Sequence, residues 1–328
     1  MKVILSKKGV DSSNCSSPIK ISDKTEEMPF IPIPQIDEAD LEICNKLGLE
    51  KINDIFDFNK LKVEEDEKKF TVSFPVNKIC QPINPAYHID PQLKNYFNDV
   101  EDKDFRATFG PNKTKVKYLN VEPNDIFLFF GYYDGDEQTA KHTIFGYMQV
   151  GEIITLERKN KIITINLTPE KKNSSKEQTK EKTQESIEEK YPFLKNQPHW
   201  VRFWDGKTNS ETIYIASKNI DFGKGITNLK GFGMFKYNEQ LCLSRKDNDE
   251  TKALCNWGIK GFTKDISIKM KKGNRSFVEN KEYGYITIPK RYQEIVLKDS
   301  TGEQTVINWA KGLILGNANN WKKSEDLG

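Results

Sequence analysis

Apolar residues along this chain gather in short runs separated by polar, glycine-containing or proline-containing stretches. The strongest run is Asp125-Ile-Phe-Leu-Phe-Phe-Gly-Tyr-Tyr133. Its unbroken apolar character predicts a strand buried on both faces. A polar tip with Asp134, Gly135 and Asp136 follows, and then a second strand is predicted from Thr143 to Ile154. The two are expected as neighbours in a central sheet or barrel, joined by a loop longer than a tight hairpin. Lys159–Leu167 predicts another strand, and strands are expected again at His199–Trp204, Glu211–Ala216, Gly233–Leu243, Ile266–Met270 and Gly284–Ile288. Gln304–Gly312 predicts a helix, or a strand followed by one. Strands do not alternate with long amphipathic helices, which argues against a doubly wound α/β fold. The expected fold is α+β and β-rich, with a central mixed or barrel-like sheet and short peripheral helices.

Between these runs the chain is punctuated differently. Met28–Gln35 is extended because Pro29, Pro32 and Pro34 disfavour helix at and before themselves. Asp40–Lys46 predicts a short helix ending near Gly48. Residues 171–190 hold Lys, Glu, Ser, Thr and Gln with one apolar residue, Ile187. That composition cannot bury a core and predicts a flexible insertion. It divides a β-rich half at residues 1–170 from another at 191–328, the two expected to pack as one globular unit.

Composition narrows the function classes only modestly. A net charge of +3 among 30% charged residues argues against a strongly basic arm, but excludes neither nucleic acid nor small ligands. The five cysteines, Cys15, Cys44, Cys80, Cys242 and Cys255, form no C-x-x-C pair, which argues against a structural zinc site. Their odd number and wide spacing suit a reducing compartment. No apolar run approaches the roughly 20 residues that span a bilayer. A cytoplasmic protein without a membrane partner is the expectation.

Candidate chemistry concentrates at three places. The opening strand Val3–Leu5 runs into a turn carrying Ser6, Lys7, Lys8, Gly9, Asp11, Ser12, Ser13 and Asn14. Ser6 and Lys8 share a face if the strand continues; an ordinary solvated turn is the alternative. In Asn84-Pro-Ala-Tyr-His-Ile-Asp-Pro-Gln-Leu93, His88 and Asp90 share a face if extended. Asp90 then fixes a His88 tautomer for proton transfer, or the histidine simply satisfies its neighbours. His199 and Trp200, with Arg202 and Trp204, offer an imidazole, a cation and two indoles that suit base stacking, although core packing is the commoner use of tryptophan. Gly223-Lys-Gly-Ile-Thr-Asn228 lacks Walker spacing and reads as a turn, and Glu157-x-Lys159 is a triplet that arises by chance in so charged a chain. No motif fixes a metal or a cofactor.

Four segments together resemble a known family, the nucleotide modification associated domain of type 3. They are Ile4-Leu-Ser-Lys-Lys-Gly-Val-Asp-Ser-Ser-Asn14, Ile31-Pro-Ile-Pro34, His88-Ile-Asp-Pro91, and Asn124-Asp-Ile-Phe-Leu-Phe-Phe-Gly131 with Phe145-Gly-Tyr-Met-Gln-Val-Gly-Glu152. The family's opening has a Ser-Arg-Lys-Gly-Phe-Asp-Ser pattern; here Asn14-Cys-Ser-Ser17 replaces its second glycine-rich step, and the 171–190 insertion is atypical. The resemblance implies an association with modification of nucleotides or nucleic-acid bases. A local likeness of the central strand pair to PUA-like and EVE-like barrels makes Phe130, Tyr132, Tyr133 and Trp200 candidates for a base pocket. Two readings follow. In the first, an enzyme uses His88, Asp90, Lys8 and Asp11 as its catalytic group, with Ser6, Lys7, Ser12 and His199 binding the ligand. In the second, a non-catalytic reader holds a modified base or nucleotide among the aromatics.

Overall fold

Ile126 to Phe130 are all within 1% of complete burial, so the strand they form is covered on both faces, as its unbroken apolar run predicts. It is the centre of the molecule. The structure, a computed structural model, describes residues 1–9, 19–21, 27–28, 33–35, 43, 86–97, 100–111, 119–134, 140–169, 183–223, 226–244, 256–257, 266–270, 273–276, 278–279, 284–288, 294–299 and 305–317.

Among the described residues, eleven strands join in one mixed sheet. In chain order they are β1 (Val3–Lys7), β2 (Ile19–Lys20), β3 (Thr108–Phe109), β4 (Ile126–Asp134), β5 (Ala140–Lys159), β6 (Ile162–Thr168), β7 (Ser210–Ala216), β8 (Phe232–Met234), β9 (Ile266–Met270), β10 (Gly273–Ser276) and β11 (Glu294–Asp299). The spatial order is β10-β9-β11-β1-β4-β5-β7-β3, with β2 beside β4 and both β6 and β8 beside β5. Among the described residues the strand order does not close on itself, so of the two expected forms, mixed or barrel-like, the sheet takes the mixed one. Both halves of the chain contribute strands to it.

β1 runs parallel to β4, with Ile4 opposite Phe127 and Ser6 opposite Phe129, and antiparallel to β11, with Ser6 opposite Glu294. Partners in register point to the same side of a sheet. Ile4, Ser6, Phe127, Phe129 and Glu294 therefore share one face, and Lys7 turns to the other. On the shared face Phe109 packs edge-on to Phe127 and Phe129 at 5.0 and 5.3 Å between centroids, and Tyr214 stacks on Phe127 at 5.5 Å. Phe130 meets Trp257 edge-on at 5.1 Å.

β5 is the longest strand, extending well past the predicted Thr143–Ile154. It turns into β6 through Asn160 and Lys161, both at positive φ (50° and 67°), which is the two-residue turn that suits the twist of a hairpin. A bulge at Val150/Glu152 sets Gly151 where an added Cβ would lie 2.6 Å from Arg106 Nη2 and 2.7 Å from Ser217 Cα. β5 also holds Gln149, fully buried. Its amide donates to the carbonyls of Asp221 (2.5 Å) and Asn124 (3.3 Å) and accepts from Ser217 Oγ (3.2 Å) and Asp221 N (2.7 Å).

Two sequence expectations change here. Residues 198–204 form a helix rather than a strand: α2 (Pro198–Trp204) has Pro198 in its first turn, and the Gln197 side chain accepts from His199 N at 2.6 Å and Trp200 N at 3.2 Å. Proline lacks the amide that the first turn leaves unused, and a side-chain acceptor replaces the missing carbonyl partners. The second change lies at the end of the charged 171–190 stretch, where Gln184–Lys190 is a helix, α1, capped reciprocally by Thr183 and Ser186, with Ile187 buried. Residues 170–182 fall outside the described ones. Farther on, α3 (Thr305–Asn317) realises the predicted terminal helix and packs on β1 and β11. Of the expected helix near Asp40–Lys46 only Ile43 is described, and it is helical and buried. Among the described residues no helix is long and apolar enough to cross a membrane.

Replacing Gln149 by Leu removes the partner of the Asn124 and Asp221 carbonyls, the Asp221 amide and the buried Ser217 hydroxyl; with each unmade bond costing about 1–3 kcal/mol, the variant is expected to lose about 3 kcal/mol in urea unfolding. Burial also pushes the Tyr96, Tyr133, Tyr147 and Tyr214 hydroxyls above their ordinary range, aided at Tyr96 by the Glu27 charge and at Tyr214 by Asp125 and Glu294. The unfolded chain ionises these groups first, near pH 10. Their contribution to stability is therefore complete below about pH 10 and is lost as pH rises beyond it. Phenolate absorbance at 295 nm should show these four groups silent until they appear together with alkaline unfolding.

Candidate active site

Ser6 is wholly buried, and its Oγ finds no hydrogen-bond partner among the described residues. Two residues on, where β1 has ended, Lys8 reaches back over the same face. Its Nζ lies 3.2 Å from Glu294 Oε1 and 4.3 Å from the centre of the Phe109 ring. Glu294 is 1% exposed, so this carboxylate is held out of water with a cation and an aromatic face close by. The Lys8 amide donates to the Phe130 carbonyl at 2.9 Å, which continues the parallel ladder and fixes the direction of the side chain.

Phe109 leads directly into Gly110, where a second polar group begins. The Gly110 amide donates to Asp90 Oδ1 at 2.9 Å, and Gln197 Nε2 donates to the same oxygen at 3.1 Å. Asp90 Oδ2 lies 3.9 Å from His199 Nε2. On the opposite edge of the ring, His199 Nδ1 and Glu211 Oε2 are 2.9 Å apart. Asp90, His199 and Glu211 are all buried. An added Cβ on Gly110 would come within 2.0 Å of the His199 ring, so glycine is required for β3 to pass this close to α2.

The chain Asp90–His199–Glu211 brackets an imidazole between two carboxylates. Glu211 accepts the Nδ1 proton and thereby sets the tautomer, which leaves Nε2 as the position that takes or gives a proton on the Asp90 side. All three residues are of metal-ligating types, but the carboxylates sit on opposite ring edges instead of converging on one point. Among the described residues no metal-binding cluster forms.

A model of the nucleotide modification associated domain 3 family matches residues 2–298. The chain belongs to that family. The matched span of this nucleotide modification associated domain contains every residue of both polar groups, from Ser6 to Glu294, and the family's name connects the chain with nucleotide modification. No curated protein and no solved structure matches the chain.

The residues singled out in the sequence fall in distinct places. Ser6 and Lys8 stand together on the Phe109 side, while Lys7, on the other face, is buried. Asp90 meets His199 in the fold. His88, its expected partner, ends the short strand Ala86–His88 opposite Ile33, and its side chain is outside the described set. Asp11 and Ser12 also lie outside the described residues. Phe130, Tyr133 and Trp200 are each 1% exposed and belong to the core, with Trp200 Nε1 donating to Glu188 Oε1 at 2.9 Å; Tyr132 is partly exposed beside the His142 ring. Glu211, Gln197, Gly110 and Glu294 escape a sequence reading. No spacing rule links Glu211 to a histidine twelve positions earlier, and Glu294 meets Lys8 from 286 positions away.

Gly110→Ala should push the His199 ring from its seat, cost about 1–3 kcal/mol through overpacking, and shift the His199 ring resonances in NMR. A variant with native melting and an unmoved imidazole would show that the close approach carries no strain.

Proposed function

We propose that this protein acts chemically on a nucleotide or nucleic-acid base, with His199 as its proton-transfer group. The observation that carries the reading is the buried imidazole with Nδ1 on Glu211 at 2.9 Å and Nε2 toward Asp90. A carboxylate behind a histidine fixes its tautomer and supports the imidazolium that forms when the ring takes a proton. Asp90, already engaged by Gly110 and Gln197, orients the Nε2 side and stabilises positive charge there. Lys8, at the end of β1, is assigned to a phosphate or to negative charge developing on the substrate, with Glu294 and the Phe109 face holding it in place. Ser6 Oγ, buried and without an acceptor of its own, is assigned to a substrate hydrogen bond.

Family membership supports this substrate class, since the family's name concerns nucleotide modification. The aromatic-cage alternative, a reader without turnover, draws less support. Three of its four proposed cage residues, Phe130, Tyr133 and Trp200, are core side chains with almost no surface to offer a base.

Mass spectrometry of nucleosides after incubation with modified DNA, unmodified DNA and nucleotide pools tests the reading. A new mass is expected. His199→Gln should then reduce its rate of appearance about 10²–10⁴-fold, the usual share of a general acid or base, with the fold retained. Lys8→Met should weaken substrate use while leaving the protein folded. Full turnover by His199→Gln would remove this residue from the mechanism. Selective retention of one nucleotide without any new mass would replace the enzyme with a reader.

A further inference from the structure

Away from His199, the described residues surround a cleft of about 770 Å³ between the approach to β3, the end of α1 and the segments leading into and out of the Asn219–Asp221 and Ile226–Lys230 hairpin. Its size falls in the range of small-ligand pockets. The apolar side is aromatic: Phe105 meets Phe193 and Phe232 edge-on, at 6.0 and 5.8 Å between centroids. Arg106, Glu152 and Tyr191 form the polar wall. Arg106 Nη1 binds Glu152 Oε1, the Tyr191 hydroxyl donates to Glu152 Oε2, and Arg106 Nε donates to the Ala216 carbonyl.

This wall is not saturated by the protein. Arg106 Nη2 is wholly buried against Gly151 of the β5 bulge, so the open capacity of the wall lies on Glu152. Each Glu152 oxygen takes one of these donors, Lys190 Nζ stands 3.9 Å from Oε2, and with two lone-pair sites each oxygen has capacity for another donor. The Glu152 carboxylate thus stands as an acceptor beside an apolar wall, a combination that suits the amino edge of a base. At the mouth stand the exposed residues Lys218 and Lys230, beside Lys190. Asp102, Asp104 and Glu189 lie among these cations. A mouth of mixed sign suits a single phosphate and disfavours a tract of them, which would need an unbroken run of positive charge.

We propose that the cleft is a binding site for one nucleoside monophosphate unit, its base beside the edges of Phe105 and Phe232, its amino edge on Glu152, and its phosphate at Lys218 and Lys230. The ligand class rests on the nucleotide reading given above. The cleft is tied to the His199 centre by two segments. Arg106 and Gly110 are four residues apart, at most about 14 Å along the chain, and the stretch from Tyr191 to His199 carries a residue of each. The cleft and the His199 centre are thus joined through two shared segments of the fold.

Calorimetric titration of the full chain with the individual nucleoside monophosphates, and with a short single strand, tests this. Lys218→Ala/Lys230→Ala removes two exposed cations at the mouth; Lys159→Ala/Lys161→Ala removes the same charge at the exposed β5–β6 turn. The first pair is expected to weaken nucleotide binding tenfold or more and the second less than twofold. Glu152→Gln, checked for native melting, should change which base is preferred. Preference for the free monophosphate over the strand would make the ligand a free nucleotide, and the reverse would make it a nucleotide within a chain; both support the site. Equal effects of the two lysine pairs would overturn the cleft while leaving a nucleotide-acting enzyme intact. Absence of any binding by the parent protein would overturn it too. Cleft-dependent binding without turnover, or with turnover indifferent to His199→Gln, would uphold the cleft and overturn the assignment of His199.

Discussion

The burial of β4 on both faces is the constraint from which the rest of the architecture follows. A strand with Ile126, Phe127, Leu128, Phe129 and Phe130 in succession has no face to give to water. Each such side chain contributes about 1.5–3 kcal/mol when removed from solvent, so the fold must supply cover above, below and along both edges. β1 and β5 take the edges, Phe109 and Tyr214 cover Phe127 and Phe129, and Trp257 closes over Phe130. The parallel register of β1 is what brings Ser6 and Lys8 onto the aromatic face. The position of Phe109 is what carries Gly110 to Asp90 and His199.

Polar groups buried beside such a core are costly, and their arrangement reflects that cost. Glu294 is matched by the Lys8 ammonium and Asp90 by two N–H donors, while Glu211 meets the imidazole. A buried ion pair is seldom a net source of stability relative to apolar packing, because the desolvation of both charges offsets their attraction. The aromatic core thus holds these groups together, and their own interactions chiefly decide which way each one points. That division suits a site whose side chains need fixed orientations more than they need to strengthen the fold.

How much of this is legible in the sequence depends on whether the determining contacts are local. The central strand reads directly because five consecutive apolar residues leave no other arrangement, and Ile266–Met270 and Glu211–Ala216 are found almost residue for residue. The helix at Pro198–Trp204 reads wrongly because alternate aromatics imitate a strand, while the deciding signals are Pro198 in the first turn and a Gln197 cap, a residue seldom used there. Barrel closure is a property of strand order, which no local pattern encodes. In the site, Lys8, Ser6, Asp90 and His199 are visible as polar residues in suggestive settings, yet the pairing of Asp90 with His199 joins segments 109 positions apart. Glu211 and Gly110 have no local mark at all; their roles exist only once β3, β7 and α2 have met.

The salt bridge between Lys8 and Glu294 spans 286 positions of chain. Contacts so distant in sequence close late, because the entropy of a long loop must be met before they repay it. During synthesis, when segments emerge in order, β1 leaves the ribosome first among the strands of the sheet and must wait for β11 before its Lys8 acquires a carboxylate partner. Until then its outer edge lacks that neighbour, and the strand that ends in Ser6 and Lys8 is only half framed. The Lys8–Glu294 contact is in this sense a completion mark: this part of the site takes its final form only after the 286 positions that separate the two residues have been made.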